Sequence, residues 1–328
     1  MTLVSPGALQ GLAALVAEGV LPPGRARVGA DGTPRRPGDR EAVEWEPVEG
    51  QPLVVKLYPD RMDGAASYRI QRALWCQGFG PNSPYRVPEP LWWSDSLGAI
   101  VMRRAPGKRL GEHVPGEVGW FEALRAAARW LASLHASPLR IGPTDERSSA
   151  SQRLSRRMSK AIERCPQLRN SLQLRLEELA RRAPRSEIPD CQTHGRFHPG
   201  HVFVDHGVVT VIDLDRAAPA APAKDVAEFI HRTRAEVFKR GYTSQVAEEA
   251  SQTFLEEYLG RSPAFLDGLT YFWSESLLAT LLHAARKRHL EADAWRDRIA
   301  FYIREFDRVP ERVAPYTSPS AARSRSGT

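Results

Sequence analysis

The sequence predicts an α+β chain in which strands come first and helices follow. Two observations lead there. Apolar runs rich in β-branched and aromatic residues concentrate before about residue 105, at Leu53 to Tyr58, Val87 to Trp93 and Gly98 to Met102. Beyond that point apolar residues recur at helical spacing, as in Leu124, Ala127, Ala128, Leu131 and Leu134. One short strip, Val202 to Val204 and Val208 to Ile212, interrupts the helical half with a strand–turn–strand pattern. At 328 residues the chain supports one large domain or two linked ones with a real core.

Leu9, Leu12 and Val16 lie at amphipathic spacing, which predicts a leading helix over about 5 to 18. No basic n-region precedes it, so it reads as a helix rather than a signal peptide. Gly24 to Pro47 is rich in Gly, Pro and Arg, with Ala30-Asp31-Gly32-Thr33-Pro34 as a candidate turn. Leu53 to Tyr58 is a strand carrying Lys56. Ala65 to Gln77 reads as a helix without an acidic residue. Two further extended segments follow, and Trp120 to Ala136 is a strong helix. Downstream helices carry three apolar stripes: Leu168, Leu172, Leu176 and Leu179; Val246, Ala250, Phe254 and Tyr258; Trp295, Ile299, Tyr302 and Phe306. Ser318 to Thr328 lacks periodicity and predicts a disordered tail.

The segment with chemical content is Thr193-His194-Gly195-Arg196-Phe197-His198-Pro199-Gly200-His201, followed by Val202-Phe203-Val204 and then Val208 to Asp213. Asp205-His206-Gly207 reads as the tight turn between the two strands. This pattern resembles the aminoglycoside phosphotransferase and choline kinase-like family, whose loop reads His-Gly-Asp-x-His-x-x-Asn before a hairpin ending in Ile-Asp. His194, Gly195, His198, Ile212 and Asp213 match. Other segments extend the resemblance. Lys56 falls on the family's nucleotide-contacting lysine. Val87-Pro88-Glu89-Pro90 and Met102 to Leu110 resemble the segment leading into and through the hinge, and Leu134-His135 a common helix end. Pro222 to Phe229 is similar to the family's Asp-Pro-Ala-x-Asp-Leu-Ala, which makes Asp225 a candidate tie for the loop.

The resemblance implies a protein-kinase-like two-lobed fold. A small antiparallel-sheet N-lobe would span 1–105, with the hinge at about 102–105. A larger, mainly helical C-lobe would span 106–317, and the tail 318–328. It also implies ATP, or another nucleotide, with Mg or Mn as cofactor. Lys56 and Asp213 would hold the phosphates and metal, with backbone groups near Met102 and Arg104 holding the base. His201 and Asp215 would stand as further metal candidates, and His194, Arg196 and His198 would form the catalytic loop.

Two loop positions depart from that pattern. Arg196 stands where the family has its catalytic Asp, and a guanidinium stays protonated at physiological pH and cannot act as a general base. His201 stands where the family has its metal-binding Asn, and imidazole is a poor magnesium ligand. The Glu that pairs with the lysine in kinases is missing from the predicted helix at 65–77, where Gln71 offers only a neutral amide. Asp190, Asp205 and Asp215 are the carboxylates that a rescued mechanism would draw on.

Lysine is scarce, 6 residues against 40 arginines, so a lysine inside a strand stands out. The net charge of +7 comes from arginine spread along the chain, often beside acids, as in Arg175-Leu176-Glu177-Glu178. That predicts a solvated basic surface rather than a nucleic-acid module. Local clusters at Arg153, Arg156, Arg157 and Lys160, or at Arg181, Arg182 and Arg185, would suit an acidic partner. Cys76, Cys165 and Cys191 are odd in number and off metal spacing, which fits a reducing cytoplasm. No apolar run reaches membrane-spanning length. Three functions stay open: a nucleotide-binding, catalytically degenerate regulator or scaffold; an active phosphotransferase acting on a hydroxyl of a small molecule or peptide through a non-standard base; and an interaction module for a partner protein that binds no nucleotide.

Overall fold

A computed structural model describes residues 4–27, 40–143, 147–184, 188, 190–261, 268–286 and 292–317. The turn expected at Ala30 to Pro34 and the tail expected at Ser318 to Thr328 lie outside the described residues. Two compact units divide the chain: Met1–His113 with Gly200–Ala217, and Val114–Pro199 with Ala218–Thr328.

The first unit begins with helix α1 (Pro6–Ala17), capped by the Ser5 side chain. Five strands then form one antiparallel sheet: β1 (Gly24–Arg27), β2 (Glu41–Pro47), β3 (Leu53–Leu57), β5 (Pro90–Ser94) and β6 (Ala99–Arg103), in the order β1-β2-β3-β6-β5. Helix α2 (Arg61–Cys76) follows β3 and is capped by Asp60. Residue alternation along β3 decides what faces what. Leu53, Val55 and Leu57 join Leu12 and Leu15 of α1 in one cluster, whereas Val54 and Tyr58 join Ile100, Met102, Tyr68 and Trp93 in another. Lys56 therefore falls on the side of β3 that α2 serves. Gly64 lets α2 come close there: a Cβ at this position would lie 2.6 Å from Trp93 and 3.0 Å from Tyr58. A glycine inside a helix costs roughly 1 kcal/mol, and this close approach is its return.

A second sheet in the same unit runs β4-β10-β9-β7, formed by β4 (Tyr85–Arg86), β7 (Lys108–Arg109), β9 (Val202–Asp205) and β10 (Val208–Val211). The expected hairpin is β9–β10. Its two-residue turn is His206-Gly207, with φ of 45° and 83°, the paired left-handed conformation that suits a tight hairpin. The first compact unit runs to His113 and includes the hairpin, because β9 bonds to β7 and β10 to β4.

The second unit is mainly helical: α3 (Val118–Ala136), α4 (Arg147–Arg164), α5 (Arg169–Arg181), α6 (Ala223–Lys239), α7 (Ser244–Leu259), α8 (Leu269–Arg286) and α9 (Ala292–Thr317), with a short antiparallel pair, β8 (Cys191–Thr193) and β11 (Ala218–Ala220). The expected stripes face the core, with Leu172, Leu179, Phe254, Tyr258 and Phe306 all buried. Arg182 belongs to this interior rather than to a basic patch. It donates to the Ser274 hydroxyl and the Phe306 carbonyl and lies 4.6 Å from the Phe306 ring centre. Among the described residues, no helix is long and apolar enough to cross a membrane.

Candidate functional site

The expected site residues distribute over both units, and each unit is self-consistent. In the first, Lys56, Asp213, Asp215 and His201 come together. The Lys56 ammonium donates to Asp213 Oδ1 at 2.7 Å and to Asp215 Oδ2 at 2.8 Å. His201 Nε2 lies 3.3 Å from Asp213 Oδ2. Asp213 has φ of 68°, a conformation that non-glycine residues adopt rarely and that concentrates at functional sites. The sequence reading put Asp213 and Asp215 on one side of an extended chain. Both carboxylates do reach the same ammonium, but through this left-handed residue.

Asp215 is the more heavily bonded of the two. Its Oδ1 accepts from Tyr58 Oη at 2.7 Å and Ser67 Oγ at 2.6 Å, and its Oδ2 accepts from Lys56 and from Arg40 Nη1. A carboxylate offers about four acceptor positions, so all are filled. Tyr58, Ser67 and Arg40 were not expected. Tyr58 was within reach of the sequence, two residues after Lys56 on the same strand face. Gln71, suggested as a neutral stand-in for the helix Glu, instead donates to the Pro88 carbonyl at 2.8 Å. The residue of α2 that meets the cluster is Ser67.

Electrostatics hold the cluster charged. Burial works against the Lys56 ammonium, but the Asp213 and Asp215 carboxylates outweigh it and raise its pKa above the ordinary lysine value. Burial likewise works against the Asp213 carboxylate, yet Lys56 and His201 hold its pKa well below the usual range. Burial raises the Tyr58 phenol, which stays a neutral donor. A cleft of about 470 Å³ opens beside the cluster, lined by Arg40, Tyr58, Asp60, Asp63, Asp215 and Arg216.

The donor set constrains any metal. Among the described residues, no group of three or more His, Cys, Asp or Glu side chains could hold one. Asp215 has no acceptor position left, which leaves Asp213 as the hard ligand and His201 as a nitrogen neighbour. Such a pair would suit manganese or another borderline ion better than magnesium.

The expected hinge lies in the same unit. Met102 is buried in β6. The Arg103 and Arg104 N–H groups donate to the Glu89 and Pro52 carbonyls, both at 3.0 Å, so a base bound here would have to read other backbone groups. The Arg104 guanidinium lies 3.5 Å from Glu44.

In the second unit the loop after β8 is shaped from beneath. Asp225, near the start of α6, accepts from the N–H groups of His194 at 2.6 Å and Gly195 at 2.9 Å. The tie expected from sequence is therefore made to the backbone. Gly195 has φ of 75°, which a β-carbon would strain. His135 joins Asp225 to Tyr258, at 3.3 Å and 2.7 Å, a structural role as expected. Burial opposes the Asp225 charge, but the bonds from His135 and from the His194 backbone keep its pKa low. Phe197 anchors the loop in a row of rings, stacked on Trp130 at 5.6 Å and on Phe229 at 5.0 Å. His194 is buried, and its Nδ1 accepts from the Arg196 N–H at 3.3 Å. The Arg196 residue is exposed. His198 is half-buried, and burial, then the Arg232 and Arg196 charges, push its pKa down to about 4.

Of the three carboxylates named as substitute bases, Asp215 is fully engaged. Asp205 sits at the hairpin turn, 3.8 Å from His206, and Asp190 is exposed just before β8.

Solved structures share this architecture. A thermostable mutant of the aminoglycoside phosphotransferase APH(4)-Ia, in ternary complex with ADP and hygromycin B, aligns with a TM-score of 0.60 at 17% identity, covering 93% of this chain and 98% of that one. A choline/ethanolamine kinase family protein from Mesorhizobium loti aligns with a TM-score of 0.58 at 14% identity, covering 98% of each chain. The amicoumacin kinase hAmiN, in complex with AMP-PNP, Ca2+ and Ami, aligns with a TM-score of 0.54 at 13% identity, covering 92% and 96%. Among curated proteins, none matches the sequence. These likenesses show the protein-kinase-like fold, with its N-terminal antiparallel sheet and helical C-terminal region. The phosphotransferase enzyme family matches residues 37–269, most of the chain, and the protein belongs to that family.

Proposed function

We propose that the protein binds a nucleotide and has lost ordinary phosphoryl transfer, so that it works as a regulator or scaffold. The observation that carries this reading is the Lys56–Asp213 pair at 2.7 Å. Those two positions are the family's phosphate and metal contacts, and here they are retained, charged and held in place. Arg196 supports the second half of the reading. It occupies the base position with a group that cannot accept a proton. Relatives bind ADP or AMP-PNP, and they also bind small-molecule acceptors. The nucleotide assigned here is ATP or a close analogue. A divalent ion held by Asp213 would supply charge neutralisation for the phosphates when bound.

Restoring the family residues tests the reading. The double variant Arg196→Asp with His201→Asn should raise ATP hydrolysis by about 100-fold or more, the usual worth of a positioned general base. No gain in a folded double variant, together with steady turnover by the unaltered protein, would instead favour an active phosphotransferase using another base.

A further inference from the structure

We infer that Asp215 is the residue that positions Lys56, taking over the task of an acid that α2 does not supply. The inference rests on the nucleotide-binding reading for what Lys56 then does, and on geometry for how Lys56 is held.

An ammonium carries three hydrogens. Lys56 spends one on Asp213 and one on Asp215, which leaves one for a phosphate oxygen. Without Asp215, the ammonium would answer to Asp213 alone, the residue that also has to serve a metal. Asp215 splits these duties. Its own placement is over-determined: Tyr58 at the end of β3, Ser67 on α2 and Arg40 ahead of β2 all donate to it. The Asp215 side chain is 6% exposed and the Lys56 side chain 17%, so the pair is shielded from the screening that weakens surface ion pairs.

Helix α2 shows the converse. Its acid is Asp63, exposed in the first turn and lining the outer cleft. At the point where α2 meets the cluster it carries a buried serine, whose hydroxyl donates to Asp215 Oδ1. Ser67 thus marks the place from which a longer acidic side chain on α2 would reach Lys56. The anchor instead comes from the segment after β10, two residues past Asp213. One stretch of chain therefore carries both carboxylates that grip the lysine, and the grip does not require an acid on α2.

The test is a charge transfer between the two positions. Asp215→Asn keeps the shape and removes the charge, and ATP affinity measured by calorimetry should fall about tenfold, the loss of one charge-assisted hydrogen bond. Adding Ser67→Glu to that variant should restore affinity to within about threefold of the starting value, a recovery that a merely structural role for Asp215 would not produce. Unchanged affinity in Asp215→Asn, or no recovery in a double variant that melts like the parent, would overturn the inference. Crystal structures of the nucleotide-free proteins give a second readout. Lys56 Nζ should lie within hydrogen-bond distance of Asp215 in the parent and of the new carboxylate at position 67 in the double variant. If the parent binds no ATP at all, the nucleotide reading falls and these structures alone decide the positioning claim. Lys56 turned away from both carboxylates would defeat it.

Discussion

The Asp215 and Asp225 side chains are both shielded from solvent and bonded on both oxygens, yet they do different work. Asp225 is bonded by two backbone N–H groups of one loop and by a histidine of its own unit. Its partners cannot leave without unfolding the loop. Asp215 is bonded by four side chains from separate parts of the first unit, two of them cations. Its partners are all side chains, and one of them is the Lys56 ammonium. A buried carboxylate that satisfies backbone supports the fold, and one that gathers cations tunes a site.

The sharpest way to break that contrast is Asp225→Ala. It strands the His194 and Gly195 N–H groups in a buried setting, so chemical denaturation should show a loss of about 3–5 kcal/mol. A loss below about 1 kcal/mol would mean that Asp225 is not the loop's support. Next in size is Lys56→Ala, which should weaken ATP binding by about 100-fold, the worth of a charge-assisted phosphate contact in a shielded site, while leaving the second unit's melting intact.

Titration extends the comparison within the second unit. Burial pushes His198 and His231 down to about 4 from the ordinary 6.5. The native state therefore prefers them neutral, and the unfolded chain binds protons first. Their contribution to stability is full above about pH 6.5 and is lost as pH falls toward about 4. Glu228 is bonded by Arg232 and Ser276. Burial opposes its charge, but Arg232, His231 and these bonds push it down to about 2. Its contribution is full above the unfolded value of 4.5 and is lost as pH falls from there toward about 2. Melting temperature should thus decline in two stages on acidification. His231→Gln should flatten the upper stage, and a pH profile identical to the parent's would show that His231 takes no part in it. The smallest effect is Tyr58→Phe, which removes one hydrogen bond to Asp215 and should cost about 1 kcal/mol, seen as a small shift in the denaturation midpoint.

Much of this was legible in the sequence where periodicity or a fixed spacing carried it. The apolar run and the family resemblance singled out Lys56, the helical stripes located the core of the second unit, and the resemblance of the 194–213 strip located the loop, the hairpin and Asp213. Asp225 was found through the resemblance of Pro222 to Phe229 to a family motif. What escaped depended on contacts between residues distant in sequence. Ser67 and Arg40 lie 148 and 175 residues from Asp215, and no local pattern announces them. The pairing of the hairpin with β4 and β7 escaped for the same reason. Gln71 was suggested because its amide could offer a hydrogen bond, though not a charge. The turn of α2 that faces Lys56 is set by the packing of Gly64 on Trp93, and that turn presents Ser67.

The central claim is that the Lys56 cluster still serves a nucleotide. Titration calorimetry of the purified protein with ATP, with and without magnesium or manganese, tests it most directly. The account predicts saturable binding that Lys56→Ala weakens by about 100-fold. No heat of binding at millimolar ATP under any of these conditions, or equal affinity in the Lys56→Ala variant, would contradict it.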